Sequence, residues 1–287
     1  MRRPSVLSLP LTLAVLALAG CGAGDPEPAA GTGPVRVTAS GDASAADPAA
    51  GRAVAAYRAY VQQQADALVP LVQGLATAVK AGDVARAKAL YAPSREPWEA
   101  IEPVAESFGD LDPLMDLREA DLEPGQEWTG WHRIEKALWV AGSTAGLEPV
   151  ADQLLADVRD LQGRVPNAEL TVASVAGGAK ELLDEVATGK ITGEEEAFSH
   201  TDLVDVDANL AGAEQALDAL RPLVDDAGLL TRLDAAFADV DAALLPYATP
   251  TGYVGYDTVD AVQRRELARV VDALGEPLSQ LAAAATA

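Results

Sequence analysis

Large apolar residues recur along this chain three or four positions apart, the spacing of one face of an α-helix. Val61, Leu68, Val72, Leu75 and Val79 form the first stripe, which stops at Gly82 and holds Pro70 within it as a kink. Asp83 is placed to cap the next helix and Pro93 to end it. Ser94 caps a segment through Trp98, Ile101, Val104 and Phe108, and a short helix near Gly130 carries Trp131, Ile134 and Leu138 on one face. Leu147, Val150, Leu154, Val158 and Leu161 make another, closed by Gly163. Asn167 caps a helix with Val172, Val175, Leu182 and Val186. Leu203 to Leu220 follows, stopped near Pro222, then Leu230 to Leu244, ending at Pro246. The last helix runs from about Asp257 to Leu281. No segment alternates apolar and polar residues with period two, and β-branched clusters are scarce. About eight helices with short connections predict an all-α fold of antiparallel bundles. The Gly- and Glu-rich stretch 189–199 divides two halves of similar size.

The first fifty residues break this pattern. Arg2 and Arg3 precede an apolar stretch, Val6 to Ala19, of about 14 residues, which suits a signal peptide and is too short to span a bilayer. Leu18-Ala19-Gly20-Cys21 resembles the lipobox of bacterial lipoproteins, with the chain's single Cys at the position that is acylated. Residues 1–20 are therefore expected to be a lipoprotein signal peptide and Cys21 the lipid attachment site, two acyl chains sufficing for stable anchoring. Residues 21–50, poor in large apolar side chains, are expected to be a flexible tether. Residues 51–287 then form the helical domain. This organisation places the folded part outside the cytoplasmic membrane, in the periplasm or at the cell surface.

Charge narrows the partners. The 287 residues hold 21 Lys+Arg against 44 Asp+Glu, a formal net charge of −23. Such a chain repels phosphate backbones, so no nucleic-acid partner is expected. One Cys excludes a disulfide framework and a thiolate zinc cluster, and two His exclude a site built on three imidazoles.

The residues suited to chemistry concentrate between Glu96 and Glu135. His132 and Glu135 stand three apart on a predicted helix, so they share a face and one imidazole nitrogen and one carboxylate can converge on an ion. Glu99 and Glu102, also three apart, lie on an upstream segment beside Ile101. Two facing helices with these pairs would build a carboxylate-rich cage, related to the inward carboxylates and Glu–His pairs of di-iron bundles. Inward carboxylates repel one another and are costly to desolvate, and a metal cation would remove that penalty. Oxygen ligands with one imidazole suit iron, manganese, zinc or copper. The second His of a His-Glu-x-x-His zinc protease is missing, and no P-loop, dinucleotide fingerprint or Gly-x-Ser-x-Gly is present.

Three ordered stretches carry a family resemblance: Tyr91-Ala92-Pro93-Ser94-Arg95; Trp98 to Asp112; and Trp128-Thr129-Gly130-Trp131-His132-Arg133-Ile134-Glu135-Lys136-Ala137-Leu138-Trp139. Ile191 to Glu196, Ser199 to Leu203 and Asn209 continue it. Together they resemble the imelysin-like domain of the EfeO/EfeM iron-uptake proteins, in order, from roughly residue 52 to 285. The resemblance implies a pair of antiparallel four-helix bundles. It implies iron as cargo, bound outside the cytoplasmic membrane and passed to a membrane iron permease, with a secreted haem peroxidase as a further partner. It carries metal binding onto His132 and Glu135, then Glu102 and Glu99, then Asp116 and Asp112; Asp112, before Pro113, also suits a turn or cap. His200, with Glu195, is a candidate second site, although Ser199, Thr201 and Asp202 suit a capping network around it. Residues 22–50 are too short for the cupredoxin-like domain of EfeO, so the chain resembles the single-domain EfeM form, expected as a monomer. Two other readings are an imelysin-like metallopeptidase and a surface lipoprotein that binds a polymer. The carrier is the preferred reading, and no enzyme activity is expected.

Overall fold

The computed structural model describes residues 47–287. The signal peptide, Cys21 and the tether up to residue 46 lie outside the described residues. Residues 48–50, expected as the end of the tether, are the first turn of α1 (Pro48–Lys80), where Asp47 caps by accepting the amide of Ala49. Pro48 opens this helix because its missing N–H has no helical partner to lose.

α2 (Val84–Glu99) is capped by Asp83, as the sequence predicts. It does not end at Pro93: Pro93 and Pro97 both lie inside it. Each proline removes a backbone bond, but Tyr91, Ser94, Arg95 and Trp98 form a wholly buried face that holds the helix on its course. Ser94 accordingly caps nothing; its hydroxyl donates to the Tyr91 carbonyl at 2.7 Å. The segment expected to run to Phe108 breaks at Ala100–Ile101, and the short α3 (Glu102–Glu106) follows, then α4 (Asp112–Met115). The break serves a close approach. A Cβ on Gly212 would overlap the Ala100 carbonyl, so only glycine lets the crossing helix come this near.

α5 (Gly130–Lys136) runs on into a π-helical turn at Ala137–Ala141, and α6 (Glu148–Arg164) follows. Asn167 does not cap the next helix. It sits in a 3-10 turn, and α7 (Val172–Glu185) starts later, where Thr171 and Ser174 form a reciprocal capping box. A second π-turn spans Val186–Lys190. α8 (Asp202–Leu220), α9 (Ala227–Leu244) and α10 (Ala261–Leu278) complete the long helices, with a short α11 (Leu281–Ala285). The last long helix begins at Ala261 rather than near Asp257, because Tyr256–Thr258 is a 3-10 turn and the capping box is Asp260 with Gln263. It stops at Leu278, one residue after Pro277. Between α9 and α10 a minimal hairpin pairs Ala248–Thr249 with Gly252–Tyr253.

The fold is all-α, as predicted. α1, α2, α5 and α6 pack as one group of four, and α7, α8, α9 and α10 as another. The described residues nevertheless form one compact unit. α8 packs on both α1 and α2, so the groups meet along it. The apolar stripes read from the sequence are buried there: Val61, Leu68, Val72, Leu154, Val158, Leu217 and Val240 are at most 1 % exposed. Leu203, Val206 and Leu210 on α8 join this core. The other face of α8 carries Asp202, Asp205 and Asn209, also fully buried, toward α2. Polar groups this deep need partners.

Candidate metal centre

Arg95 is the centre of that buried polar region. Its side chain is fully buried and faces five carboxylates. It pairs with Glu99, one turn further along α2, and with Asp116, just past α4. Its Nε lies 2.7 Å from Glu196, and Asp205 and Glu195 stand at 3.6 and 3.7 Å. A second buried cation, Lys190 in the π-turn, reaches Glu99 at 2.9 Å and Glu102 and Glu185 at 3.3 Å. These two side chains supply the counter-charge that the sequence reading assigned to a metal alone. The only local sign of them was the four-residue spacing of Arg95 and Glu99.

Glu99 is therefore held from three sides, by Arg95, by Lys190 and by the amide of Asn209 at 3.2 Å. Glu102 shares Lys190, and burial raises its carboxyl well above the usual range even against that cation. The cage expected from Glu99, Glu102, His132 and Glu135 does not form as one unit. Glu99 and Glu102 cluster with Asp116, whereas His132 and Glu135 lie on the other side of Asp116.

His132 is placed by its glycine. Gly130 has φ +78°, and a Cβ there would overlap the Met115 carbonyl, so the start of α5 lies directly against the end of α4. This brings His132 beside Asp116, the residue after Met115. The imidazole is 1 % exposed. Its Nε2 lies 3.3 Å from Asp116 Oδ1 and 3.6 Å from Glu195 Oε1, neither making a hydrogen bond, so none among the described residues satisfies this nitrogen. Its Nδ1 meets Glu135 Oε2 at 3.2 Å. Burial and the Arg95 charge push the His132 pKa down, but the carboxylates of Asp116, Glu135 and Glu195 outweigh them and hold it well above its ordinary value.

The carboxylates respond in kind. Burial alone would raise Glu195, yet His132 and Lys190 hold it down at about 2. Asp116 is likewise driven well below the usual range, chiefly by Arg95 and His132 acting against burial. Trp98 Nε1 also donates to Asp116 Oδ2 at 2.7 Å, and Trp131 Nε1 to Ser94 Oγ at 3.0 Å. Trp128 donates to the Leu117 carbonyl at 2.7 Å, tying down the segment that follows Asp116.

Donor atoms of Asp116, His132 and Glu195 lie within 4.8 Å of one another, as do those of His132, Glu135 and Glu196. Asp112 joins a separate, outer group with Glu102 and Glu106. Burial and the neighbouring acids raise the Asp112 carboxyl to about 7. A cleft of about 400 Å³, lined by Glu102, Asp112, Asp116, Glu185, Lys190 and Glu195 among others, opens onto the Asp116 side. A second of about 270 Å³ reaches His132 past Arg118 and Phe198. Glu195 belongs to the His132 cluster and does not pair with His200. His200 is in no group of three or more candidate ligands among the described residues. It turns the chain with φ +59°, its amide donating to Glu196 O and its carbonyl accepting from Tyr256, both at 2.8 Å. Glu196 and Asp205, absent from the sequence-predicted set, are fully buried in the same network.

Fold and site define an α-helical protein with a buried, carboxylate-rich, single-imidazole cluster at the junction of two bundles. The family model Peptidase_M75: Imelysin matches residues 53–281, and the chain belongs to the imelysin family. It is similar to the iron uptake system component EfeO of Escherichia coli strain K12, of E. coli O157:H7 and of Shigella flexneri. Each is 43% identical over 254 residues, 86% of this chain and 68% of the relative. These similarities agree with the resemblance to EfeO/EfeM read from the ordered motifs.

Proposed function

We propose that this protein is an iron-binding component of an uptake system outside the cytoplasmic membrane, anchored by lipid at Cys21. Iron is taken into the buried cluster around His132 and passed to a membrane permease, with a haem peroxidase as a further partner of the same system. The observation that carries this reading is the unsatisfied Nε2 of His132, set between Asp116 and Glu195 at the end of an acidic cleft. An imidazole nitrogen with carboxylate oxygens suits iron, and zinc, manganese and copper would compete in vitro. Glu102 and Asp112 line the approach, where their charge would concentrate cations. Similarity to iron uptake components supports the cargo. A carrier reading is favoured over a peptidase, because Glu135, the one motif carboxylate available as a base, is committed to His132 and two backbone amides.

Calorimetric titration of the whole chain with Fe²⁺ under anaerobic conditions tests this, run beside Zn²⁺, Mn²⁺ and Cu²⁺ in 0.5 M NaCl. Salt screens the acidic surface and leaves a buried site. Binding that survives the salt and is lost in His132→Ala is the expected result. Binding lost with salt, or equal in His132→Ala, would place the ions on the surface and end the carrier reading.

A further inference from the structure

The two ring nitrogens of His132 face very different surroundings. On the Nδ1 side every acceptor is already engaged. Glu135 Oε1 accepts the amides of Phe198 at 2.9 Å and Ser199 at 2.6 Å, and Oε2 takes the Nδ1 contact at 3.2 Å. Glu196, the other carboxylate on that side, accepts from Tyr91 OH at 3.2 Å and from Ser199 Oγ at 2.6 Å, and lies 2.7 Å from Arg95 Nε. The 270 Å³ cleft reaches this side, but an ion placed there would have to break several hydrogen bonds, each costly to leave unmade.

The Nε2 side differs at the nitrogen itself. Nε2 has no hydrogen-bond partner among the described residues. Asp116 Oδ1 and Glu195 Oε1 converge on it, and the Glu195 side chain is 12 % exposed. Asp116 Oδ1 also accepts from Arg95, which stands 3.7 Å from Glu195 Oε1, and Trp98 donates to Asp116 Oδ2, so an ion seated here draws these oxygens from the guanidinium. Both Asp116 and Glu195 line the 400 Å³ cleft, so this seat has an entrance.

We propose that Glu135 is a positioning residue and not a ligand: by accepting the proton on Nδ1 it leaves Nε2, whose own proton departs as the ion enters, to the metal, which sits among Asp116, His132 and Glu195. The assignment rests on the iron-carrier reading of the site. It follows from a general rule of imidazole ligation: the hydrogen bond at one nitrogen decides which nitrogen is free to bind, and fixes the ring plane. Through the amides of Phe198 and Ser199 the same carboxylate also fastens the loop that bears Glu195. One side chain thus orients two ligands without touching the ion.

Zn²⁺ is the probe, because it is diamagnetic. The chain has two histidines, so ¹⁵N-histidine NMR of the Zn²⁺-loaded wild type, with His200→Gln to assign the peaks, reads the ring directly. The expected spectrum shows a protonated Nδ1 and a zinc-shifted Nε2. Zinc on Nδ1 would overturn the assignment while leaving the carrier reading intact. A wild type that takes up neither Zn²⁺ nor Fe²⁺ would overturn both. In the variants, Glu195→Ala removes a ligand, and Glu135→Gln turns an amide N–H toward Nδ1 when its oxygen keeps the two backbone donors. Glu135→Gln is therefore expected to weaken Zn²⁺ by about 10–100-fold, the usual cost of losing a partner behind a metal-binding histidine. Affinity and ring spectrum both unchanged in a folded Glu135→Gln protein would refute the role.

Discussion

Two cores lie side by side in this molecule. The first is apolar and is made of stripes such as Val61, Leu68 and Val72 on α1 against Leu154 and Val158 on α6. The second is ionic and is made of Arg95 and Lys190 among Glu99, Glu102, Asp116, Glu195, Glu196 and Asp205. In the apolar core any side chain of the right volume serves, since burial is non-directional. In the ionic core most groups are held by named partners, Asp205 only by Arg95 at 3.6 Å, and losing one strands the others in a medium that solvates them poorly. The fold needs the first, and the site is built from the second.

Arg95→Met tests the contrast most severely. It leaves five carboxylates facing one another without their shared cation, and removing one partner of a buried pair costs about 3–5 kcal/mol. Urea denaturation is expected to show a loss of this size, or no folded protein. A variant as stable as wild type would mean that the carboxylates are protonated and need no counter-ion. Leu68→Ala is the matching test in the apolar core. A cost of about 2–5 kcal/mol is expected from the cavity, with Zn²⁺ affinity unchanged. A parallel loss of affinity would show that the two cores are coupled.

Gly130→Ala joins the two. The positive φ alone costs about 1–3 kcal/mol, and the added methyl pushes α5 away from Met115. Its effect on Zn²⁺ binding is expected to exceed that of Leu68→Ala; the reverse ranking would deny the glycine its positioning role.

Acid sharpens the picture further. Burial raises Asp202 to about 6, above its value of about 3.9 in an unfolded chain. The native state thus holds this proton more tightly than the unfolded state does. Its contribution to stability is full below pH 4 and is lost as pH rises through 6. Asp202→Asn lacks that loss, so the melting temperature of wild type relative to the variant should fall between pH 4 and 7. A flat difference would mean that Asp202 titrates normally. Lys80→Ala, at an exposed pair with Asp152, sets the lower limit: below about 1 kcal/mol, and less in salt.

The apolar core was legible in the sequence because its signal is periodic. Every residue of the stripe from Val61 to Val79 is buried, and Asp83 caps α2 as read. Local chemistry misled where tertiary packing overrode it. Pro93 and Pro97 continue through α2 because the face beside them is buried on both turns, and Asn167 yielded the cap to Thr171. The ionic core was legible only in part. The spacing of His132 and Glu135 and the family motifs found the imidazole and Asp116. Lys190 was invisible, since its partners Glu99 and Glu102 are about ninety residues away along the chain. Of Glu194, Glu195 and Glu196, only Glu195 was singled out in the sequence, as a partner of His200. In the structure Glu194 is exposed, Glu195 half-buried and Glu196 wholly buried, an order set by the path of the loop across α2 and α5.

The tryptophans give the site a voice of its own. All four, Trp98, Trp128, Trp131 and Trp139, fall between the end of α2 and the turn after α5. Trp98 bonds Asp116 directly, Trp128 holds the next residue, and the Trp131 ring lies beside the Arg95 guanidinium and 5.6 Å from the ring of Trp98. Three of the four emitters, Trp98, Trp128 and Trp131, therefore line or brace the cluster, and Trp139 lies one ring further out, against Tyr91. A paramagnetic ion seated at His132 would lie within reach of nearly every emitter and darken the ultraviolet emission, so uptake and release can be followed in real time on the unlabelled protein.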